Sequence, residues 1–460
     1  MVHTKTSLKD KCTFKTGATA RFYAEINCVE EIDTLMEEID CQISETIDEI
    51  QYGSKALGFD FPKPKLKYYF LGEGSNTLFH GNIDEVVIKN QIKGIKVFEN
   101  AFENKPELVL LRVGSGELFE DLLSFCLENG YYGLENLSGV PGTVGAAAVG
   151  NIGAYGVEQA DCFFGASEYN VKDRKTIYRK KKNKLSISKN HIELPEEILT
   201  ANLNPEVVFS YRHSNIDGFV LSVDYVFSKT PKPILNYRGL DTLPKDISPK
   251  ELAEEIIRIR DKKIENYKDF PNAGSFFQNP IVPESTFTIL KSKFPDLHGF
   301  KLDNQADLSD NEQETLMKLS AAQLIEMVGL KGYRNEKYGI SKLHSLIIIN
   351  YNDATGEELL MFSKVIKNMV NKYFSITLHE EVRLHFETWN LEIDKYQDES
   401  NKYQQEVDEI DEINNIEAML EGKEFVSLKE VLEKEEEYKV QTMKDELEIS
   451  MYNYAQKKLL

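Results

Sequence analysis

The chain has 460 residues, of which 41% are hydrophobic, and it carries a formal net charge of −21. This length suggests two to four domains of roughly 100–200 residues each, and the acidic balance argues against a protein whose main task is to grip nucleic-acid phosphates. The five cysteines are scattered without a C-x-x-C pair and the eight histidines form no cluster, so we expect free thiols in a reducing compartment and no metal site.

The first half of the chain is predicted to contain both helices and strands. Residues 29–51 carry apolar side chains at helical spacing, and residues 66–71 (LKYYFL) have the composition of a strand that runs straight into GEGSN at 72–76. The helix predicted at 117–130 ends at Gly130, a good helix terminator. Further strands are predicted at 86–89, 108–113, 207–212 and 219–227.

The segment 133–158 is unusually rich in glycine, with seven glycines and several alanines in 26 residues. Such a composition does not form a packed helix or strand over its whole length. A flexible surface loop is the plain alternative, but Leu134, Val140 and Ile152 make the segment too apolar for a solvated linker. We therefore predict an ordered loop that lines a ligand.

After KTPKP (229–233) the composition changes. Helices are predicted at 249–266, 316–332 and 355–374 and strands at 344–350 and 375–386, which together favour a small α+β domain.

Residues 392–460 are acid-rich, lack proline and carry a narrow apolar stripe, so we predict helices there. A solvated appendage and a surface for a protein partner or self-association are both open. No apolar run in the chain approaches the ~18–20 residues that span a bilayer, and the first residues contain no apolar signal segment. These features predict a cytoplasmic protein without a membrane span.

The GEGSN segment and three separate side chains are candidates for chemistry. Successive backbone N–H groups in a Gly-x-Gly turn after a strand bind phosphate, although such turns are common without a ligand. In NAGSFFQNP we expect a tight turn that presents Ser275 to a pocket walled by the two following phenylalanines. Taken singly, Arg212 fits a surface ion pair and Glu381 a solvated strand carboxylate, and sequence spacing does not bring the three together.

Five motifs occur in an order that resembles the UDP-N-acetylenolpyruvoylglucosamine reductases, also called UDP-N-acetylmuramate dehydrogenases or MurB. The resemblance runs from about Thr13 to about Phe386, and ILNYRGL at 234–240 is similar to the tyrosine-bearing loop of the type I branch. The motifs are LGEGSN (71–76), GLENLSGVPGTVGAAAVGNIGAYGVE (133–158), FSYRHS (209–214), NAGSFFQNP (272–280) and EEVRLHF (380–386).

This resemblance implies an α+β fold with a two-lobed FAD-binding domain of the PCMH/vanillyl-alcohol-oxidase type and a smaller α+β substrate-binding domain. The expected bounds are 13–228 for the FAD-binding domain, with an insertion near 40–65, and 235–388 for the substrate-binding domain. Residues 392–460 lie outside the family pattern as an acidic helical extension.

The resemblance also implies a reaction, the NADPH-dependent reduction of UDP-N-acetylglucosamine enolpyruvate to UDP-N-acetylmuramate in peptidoglycan precursor synthesis. The flavin N5 gives hydride to the enol ether, and Ser275 matches the family's proton donor. Arg212 and Glu381 match the pair that stabilises the enolate-like intermediate. Since an ionised carboxylate would repel an enolate, we expect a raised pKa for Glu381 in the complex.

Binding residues carry over from the family in two groups. No histidine stands where covalent attachment is expected, so the resemblance implies noncovalent FAD. The residues expected against FAD are Gly72, Glu73, Gly74, Ser75, Asn76, Gly142, Thr143, Gly145, Ala146, Asn151, Ile152 and Gly153. The residues expected against the UDP-sugar substrate are Tyr237, Lys263 and Asn279.

The chain departs from the family pattern at a few places besides its tail and the insertion. Gly150 replaces a usual glutamine, IENY at 264–267 replaces a proline-containing stretch beside Lys263, and SAAQLIE at 320–326 replaces a common AGWLID. Two other functions stay open on the sequence. One is a different FAD-dependent oxidoreductase of the same fold, such as a sugar or hydroxy-acid oxidase, and the other is a noncatalytic scaffold that acts through the C-terminal helices.

Overall fold

The computed structural model describes residues 2–56, 67–182, 185–187, 195–196, 198, 204–302 and 315–386. The described chain forms two compact units. Unit 1 contains the described residues up to Phe276, the segment Arg334–Gly356 and residues 381–386, and unit 2 contains the described residues of Phe277–Tyr333 and Glu357–Glu380. The predicted extension at 392–460 and the second half of the predicted insertion lie outside the described residues.

Helices and strands are both abundant, so the fold class is α+β, as predicted. The strands are β1 Val2–Ser7, β2 Thr19–Ile26, β3 Tyr68–Leu71, β4 Thr77–His80, β5 Ile83–Asn90, β6 Ile95–Glu99, β7 Leu108–Gly114, β8 Gly153–Ala154, β9 Val157–Glu158, β10 Phe163–Asn170, β11 Lys175–Lys180, β12 Phe209–Ser210, β13 His213–Ser214, β14 Phe219–Ser228, β15 Ile281–Pro283, β16 Gly299–Lys301, β17 Leu316–Leu319, β18 Tyr338–Ile340, β19 Ile348–Asn350 and β20 Arg383–Phe386. The helices are α1 Ile32–Ala56, α2 Phe119–Asn129, α3 Val144–Gly150, α4 Pro249–Asp261, α5 Glu284–Lys293, α6 Ala321–Met327 and α7 Gly356–Phe374.

The first lobe of unit 1 is a four-stranded mixed sheet in the order β1-β2-β5-β3. Strand β2 pairs antiparallel with β1 and parallel with β5, and β3 pairs parallel with β5. The helix predicted at 29–51 is confirmed as α1, whose buried side chains Leu35, Met36 and Ile39 join a core with Phe22 and Ile88 of the sheet. Strand β3 delivers the chain to GEGSN at the end of this sheet.

The second lobe of unit 1 is a five-stranded antiparallel sheet in the order β11-β10-β14-β7-β6. Helices α2 and α3 supply side chains to the core on this sheet, among them Phe119, Leu122 and Val144. Gly130 adopts the left-handed conformation after α2, with φ of 74°, and so ends the helix where the sequence predicted.

A buried charge network fixes two neighbouring strands of the second lobe. The carboxylate of Asp224 on β14 is fully buried and accepts hydrogen bonds from Arg112 Nε and Nη2 of β7, each at 2.8 Å. The hydroxyl of Tyr178 donates to the same carboxylate at 2.7 Å. This paired, two-point geometry satisfies a charge that would otherwise be costly inside the sheet.

Unit 2 contains a three-stranded antiparallel sheet in the order β15-β17-β16. Within this unit the rings of Phe294 and Phe374 lie 4.7 Å apart, and those of Tyr333 and Phe362 lie 5.5 Å apart. Unit 2 thus combines helices with a short sheet, and a separate α+β domain at 235–388 stays a prediction.

Some predicted elements differ from the structure. The glycine-rich segment contains a two-turn helix, α3, which is compatible with its composition because the buried residues are small. The predicted strand 207–212 is reduced to Phe209–Ser210, the predicted strand 375–386 is reduced to Arg383–Phe386, and the predicted helix 316–332 begins as strand β17. In the last case Ser320 caps a new helix, since its hydroxyl accepts the Gln323 N–H at 3.2 Å.

Membrane-spanning helices and disulfides can both be checked in the described residues. Within the ranges that the structure covers, no helix is long and apolar enough to cross a membrane. All five cysteines are free thiols, as predicted from their scattered positions.

The Asp224 network predicts a large stability effect for one substitution. Asp224→Ala removes the buried carboxylate that accepts two hydrogen bonds from Arg112 and one from Tyr178, so the free energy of unfolding should fall by about 3–5 kcal/mol. Urea denaturation measures the change. Glu107→Ala is the control, because Glu107 pairs with Lys105 at 3.7 Å on the surface and should cost no more than about 1 kcal/mol. Equal losses in the two variants would contradict the interpretation.

Candidate active site

The turn Gly72–Asn76 is the first glycine-rich segment of the chain, and residues 133–158 are the second. The turn lies directly against the second glycine-rich segment. A Cβ atom at Gly72 would approach Thr143 Oγ1 to 2.6 Å and Ala146 Cβ to 3.3 Å. Only glycine at this position permits the close approach. The hydroxyl of Ser75 donates to the Pro141 carbonyl at 3.5 Å. The structure therefore brings together the two segments that the resemblance assigns to cofactor binding.

The side chains of the turn bond to distant parts of unit 1. The Glu73 carboxylate accepts the Gly142 N–H at 2.7 Å. The Asn76 amide donates to the Glu381 carbonyl at 3.2 Å, and the Asn76 carbonyl accepts the Arg383 N–H at 3.1 Å. These bonds fix the turn relative to the second glycine-rich segment and to the last strand.

The second glycine-rich segment holds its predicted residues in different ways. Thr143 caps α3 and its hydroxyl accepts the Ala146 N–H at 3.4 Å. Gly145 is buried against Ser115, whose carbonyl accepts the Gly145 N–H at 2.8 Å. The amide of Asn151 is also buried and donates to Glu158 and to the Ser210 carbonyl at 2.8 and 3.0 Å. The side chain of Asn151 thus links the end of α3 to Glu158 and to β12.

Ile152 and Gly153 continue this segment towards Arg212. Ile152 is partly buried against the core of the second lobe. A Cβ atom at Gly153 would lie 3.0 Å from Arg212 Nη1 and 3.1 Å from the Val157 carbonyl. The guanidinium therefore passes directly over bare backbone at Gly153, where any larger residue would displace it.

Arg212 and Glu381, which are 169 residues apart, form an ion pair. Arg212 occupies the turn between β12 and β13 with φ of +56°, and its Nε donates to Glu381 Oε1 at 3.1 Å. Their side chains are 30% and 19% exposed. The pair is open enough to meet a ligand and buried enough for its charges to matter.

Two opposing influences set the protonation of Glu381. Burial raises the pKa of the Glu381 carboxyl, and the Arg212 guanidinium opposes this by its charge and its hydrogen bond. Burial prevails, so the pKa lies above the ordinary range of a glutamic acid. A raised pKa of Glu381 was also expected for the substrate complex, and for that complex it stays a prediction.

Ser275 lies one residue from a backbone contact of Glu381. The Glu381 N–H donates to the Phe276 carbonyl at 2.8 Å, and Ser275 forms an isolated bridge with Ile347. The turn before it is closed by Asn272, whose side-chain oxygen accepts the Gly274 N–H at 2.9 Å. Phe276 and Phe277 are both 1% exposed, so the predicted tight turn followed by buried phenylalanines is present.

The residues expected to bind substrate are distributed between the units. Tyr237 is 44% exposed, and its ring lies 5.5 Å from that of Tyr155 in the glycine-rich segment. Lys263 is exposed just after α4. Asn279 belongs to unit 2, where its side-chain oxygen accepts the Ala321 N–H at 3.0 Å. The structure therefore places Tyr237 beside a predicted cofactor segment.

Sequence reasoning missed three residues that hold this site. The Thr13 N–H donates to the Gly74 carbonyl at 3.2 Å and its hydroxyl donates to the Asn272 carbonyl at 2.7 Å. Lys89 donates to the Gly72 carbonyl, and burial lowers the pKa of its ammonium. Tyr267 donates to Glu73. Only Tyr267 had a signal in the sequence, because it lies in a stretch that departs from the family pattern.

A metal centre has no support in the described ranges, where no group of three or more histidine, cysteine, aspartate or glutamate side chains is placed to hold an ion. We call the turn Gly72–Asn76 and the segment from Gly142 to Gly153 the glycine-rich cradle. Its backbone N–H groups suit an anionic organic cofactor, and the Arg212–Glu381 pair suits an acidic substrate.

Comparisons with known proteins give two family-model matches. Residues 60–167 match the FAD binding domain, and residues 265–385 match the C-terminal domain of UDP-N-acetylenolpyruvoylglucosamine reductase.

Curated relatives match over most of the chain, and three proteins named UDP-N-acetylenolpyruvoylglucosamine reductase are similar to it. The protein from Porphyromonas gingivalis is 32% identical over 325 residues, which are 68% of this chain and 85% of that protein. The protein from Amoebophilus asiaticus is 34% identical with the same coverage. The protein from Flavobacterium johnsoniae is 30% identical over 390 residues, which are 82% of this chain and 98% of that protein.

The close approach at Gly72 predicts a measurable cost for one methyl group. Gly72→Ala should lower the free energy of unfolding by about 1–3 kcal/mol, since the new Cβ overpacks the contact with Thr143. Chemical denaturation tests this. The control is Gly150→Ala, because nothing lies within 4 Å of a Cβ atom there, and it should be neutral or stabilising by up to about 1 kcal/mol. A stable Gly72→Ala variant would show that the two segments separate easily.

Proposed function

The chain belongs to the UDP-N-acetylenolpyruvoylglucosamine reductase family, and from this premise we propose that it catalyses the NADPH-dependent reduction of UDP-N-acetylglucosamine enolpyruvate to UDP-N-acetylmuramate. This is an oxidoreductase step in peptidoglycan precursor synthesis. The observation that carries the proposal is the ion pair of Arg212 and Glu381 over Gly153, one hydrogen bond away from the segment of Ser275.

The glycine-rich cradle fits FAD. Gly72 lets the first turn lie against Thr143 and Gly153 lets Arg212 approach the backbone, where a Cβ would intrude in each case, and the Lys89 ammonium bonds to the Gly72 carbonyl. Successive backbone N–H groups in such turns bind phosphate. We assign the noncovalent binding of FAD to Gly72–Asn76 and to the segment from Gly142 to Gly153. When bound there, FAD would supply hydride for the reduction of the double bond, with NADPH as the source of its electrons.

Arg212 and Glu381 act on the charge that develops on the substrate. Arg212 is always cationic and offers a planar fork of donors to the substrate carboxylate. The raised pKa of Glu381, which burial causes, keeps its proton available at higher pH than an ordinary carboxyl would. A protonated carboxyl beside the guanidinium donates to an enolate oxygen instead of repelling it.

Ser275 Oγ donates the proton that the substrate carbon beside the carboxylate needs. A hydroxyl is a weak acid, so it works only when it is held close to its acceptor. The Asn272 side chain closes the preceding turn, and Phe276 is anchored by the Glu381 N–H and by its ring contact with Phe14. These contacts support a fixed position for the hydroxyl.

Substrate binding is assigned to three residues. Tyr237 is an exposed ring beside Tyr155, which suits a loop that closes over the bound nucleotide. Lys263 is an exposed cation for the diphosphate. Asn279 is assigned through the family motif, and its amide nitrogen is left for a ligand because the oxygen accepts the Ala321 N–H.

The same proposal covers the domains and the compartment. The family matches at 60–167 and 265–385 lie within the expected cofactor portion, 13–228, and the expected substrate portion, 235–388. The free thiols are typical of a reducing compartment and support a cytoplasmic location. A protein partner or self-association through 392–460 stays a prediction.

Replacing the proposed proton donor should separate the two half-reactions. In Ser275→Ala, NADPH should still bleach the flavin absorbance at the parent rate, because reduction needs no proton from Ser275. Reoxidation by the enolpyruvyl substrate should slow by about 10²–10⁴-fold, the usual contribution of a positioned acid. Anaerobic NADPH titration followed by addition of substrate measures both steps.

Ser292→Ala is the matched control for that experiment, since Ser292 lies on α5 and its hydroxyl donates to the Ile289 carbonyl of the same helix. It should behave as the parent. If the parent protein carries no flavin absorbance, the reductase function is wrong. If Ser275→Ala loses the NADPH step as well, the serine supports structure and is not the proton donor.

The raised pKa of Glu381 predicts a pH effect with a definite sign. If the protonated carboxyl is the active form, reoxidation by substrate should slow as the pH rises through the pKa of Glu381. Glu381→Gln is neutral at every pH and should lose this decline while keeping the donor. Stopped-flow reoxidation across a pH series tests it, and identical pH profiles for the two proteins would exclude the role.

A further inference from the structure

The stretch 264–267 departs from the family pattern, and its tyrosine has no part in the proposed chemistry. The Tyr267 hydroxyl donates to Glu73 Oε1 at 2.8 Å. The other carboxylate oxygen of Glu73 accepts the Gly142 N–H at 2.7 Å. One carboxylate thus joins the first cofactor turn, the second glycine-rich segment and the chain that follows α4.

The chemistry of this contact favours a strong bond. Tyr267 is half-buried, and burial together with the Glu73 carboxylate raises the pKa of its hydroxyl, so it remains a donor throughout the physiological range. Hydrogen bonds to a charged acceptor stabilise more than those between neutral groups. The ring also keeps the hydroxyl at a fixed reach from the backbone, since a tyrosine has only two side-chain torsions.

The other end of the same stretch is also held. The Ser341 hydroxyl is fully buried and bonds to both oxygens of Glu265 at 2.7 and 2.6 Å. Where the family has a proline-containing stretch, which limits the backbone covalently, this chain fixes the stretch through hydrogen bonds at Glu265 and Tyr267.

The stretch lies between two residues that matter to the proposed reaction. Lys263 immediately precedes it, and Ser275 follows Tyr267 by eight positions. Thr13 joins the same two regions a second time, since it bonds to the Gly74 and Asn272 carbonyls. The cofactor turn is therefore joined to the chain around the proton donor through Thr13 and Tyr267, in addition to the link through Glu381, which bonds to Asn76 and to Phe276.

We propose that Tyr267 is a positioning residue, whose hydroxyl acts through Glu73 to hold the cofactor turn against the segment that carries Ser275. We name the Tyr267–Glu73–Gly142 contact the turn latch. The inference rests on the proposed function, because it assigns the turn to FAD. It predicts that the hydroxyl of Tyr267 governs how tightly flavin is held without touching flavin.

The test measures flavin release from the purified holoenzyme of the full chain, followed as the gain of flavin fluorescence after dilution. Tyr267→Phe keeps the ring and removes only the hydroxyl, so release should be faster by about tenfold, as for the loss of one hydrogen bond to a charged group. Reoxidation of bound flavin by the enolpyruvyl substrate should also slow several-fold, while reduction by NADPH stays at the parent rate.

Two Glu73 variants separate hydrogen bonding from charge. Glu73→Gln keeps an acceptor for the Gly142 N–H and a donor for the Tyr267 hydroxyl but loses the charge, so it should release flavin faster than the parent and more slowly than Glu73→Ala. Glu73→Ala should release flavin at least as fast as Tyr267→Phe. Adding Tyr267→Phe to Glu73→Ala should change nothing further, since Glu73→Ala already removes the bond between Tyr267 and Glu73.

Tyr131→Phe is the matched control, since the Tyr131 hydroxyl also donates to a carboxylate, Glu99, at 3.0 Å on the second lobe. It should release flavin at the parent rate. An equal effect in Tyr131→Phe, or a parent-like rate in Tyr267→Phe, would overturn the turn latch. If the parent protein itself binds no flavin, the proposed function fails and the latch falls with it. If the parent binds flavin and Tyr267→Phe releases it at the parent rate, the turn latch is wrong and the proposed function still stands.

Discussion

The site depends on the hydrogen bonds of one five-residue turn, Gly72–Asn76. This turn bonds to Thr13, to Gly142 and to Glu381, which stand 61, 69 and 305 positions from their partners in the turn. None of these contacts is local, and each one closes a large loop of chain at an entropic cost. The turn is therefore the place where separate segments of unit 1 are brought to one point, and every assignment of catalytic and cofactor residues relies on it.

The electrostatics of the site follow from the same arrangement. The backbone of Glu381 bonds to Asn76 and to Phe276. The partial burial of its side chain raises its pKa although Arg212 is in contact with it. A fully exposed pair would hold the carboxyl ionised, and a deeper pair would bind the two charges too firmly to each other to serve a substrate. The intermediate exposure of Arg212 and Glu381 leaves both groups free to respond to an added negative charge.

Local patterns predicted much of the fold, and long-range pairing decided the rest. Helices α1 and α2 followed from apolar spacing and from Gly130, which are properties of the chain itself. Leu316–Leu319 was assigned to a helix because its spacing fits one, but its pairing with β15 and β16 makes it a strand. Arg212 was placed at a strand end, whereas it occupies a turn with positive φ.

In the candidate site, too, local sequence patterns predicted some features and long-range contacts decided the others. The pairing of Arg212 with Glu381 came from family resemblance, because spacing holds no information on a contact across 169 residues. Thr13 had no sequence signal, since a threonine near the start of a chain is unremarkable until its partners are known. Tyr267 lay in a visible departure from the family pattern, but the pattern did not reveal that Glu73 was its partner.

The parallel pairing of β20 with β4 sets the order in which the enzyme matures. Residues Thr77–His80 leave the ribosome early, but their partner Arg383–Phe386 is synthesised some three hundred residues later. Until then β4 presents an unsatisfied strand edge, which is the kind of surface that recruits other nascent chains. Glu381 lies two residues before β20, so the partner of Arg212 and the strand that covers the edge of β4 are synthesised together.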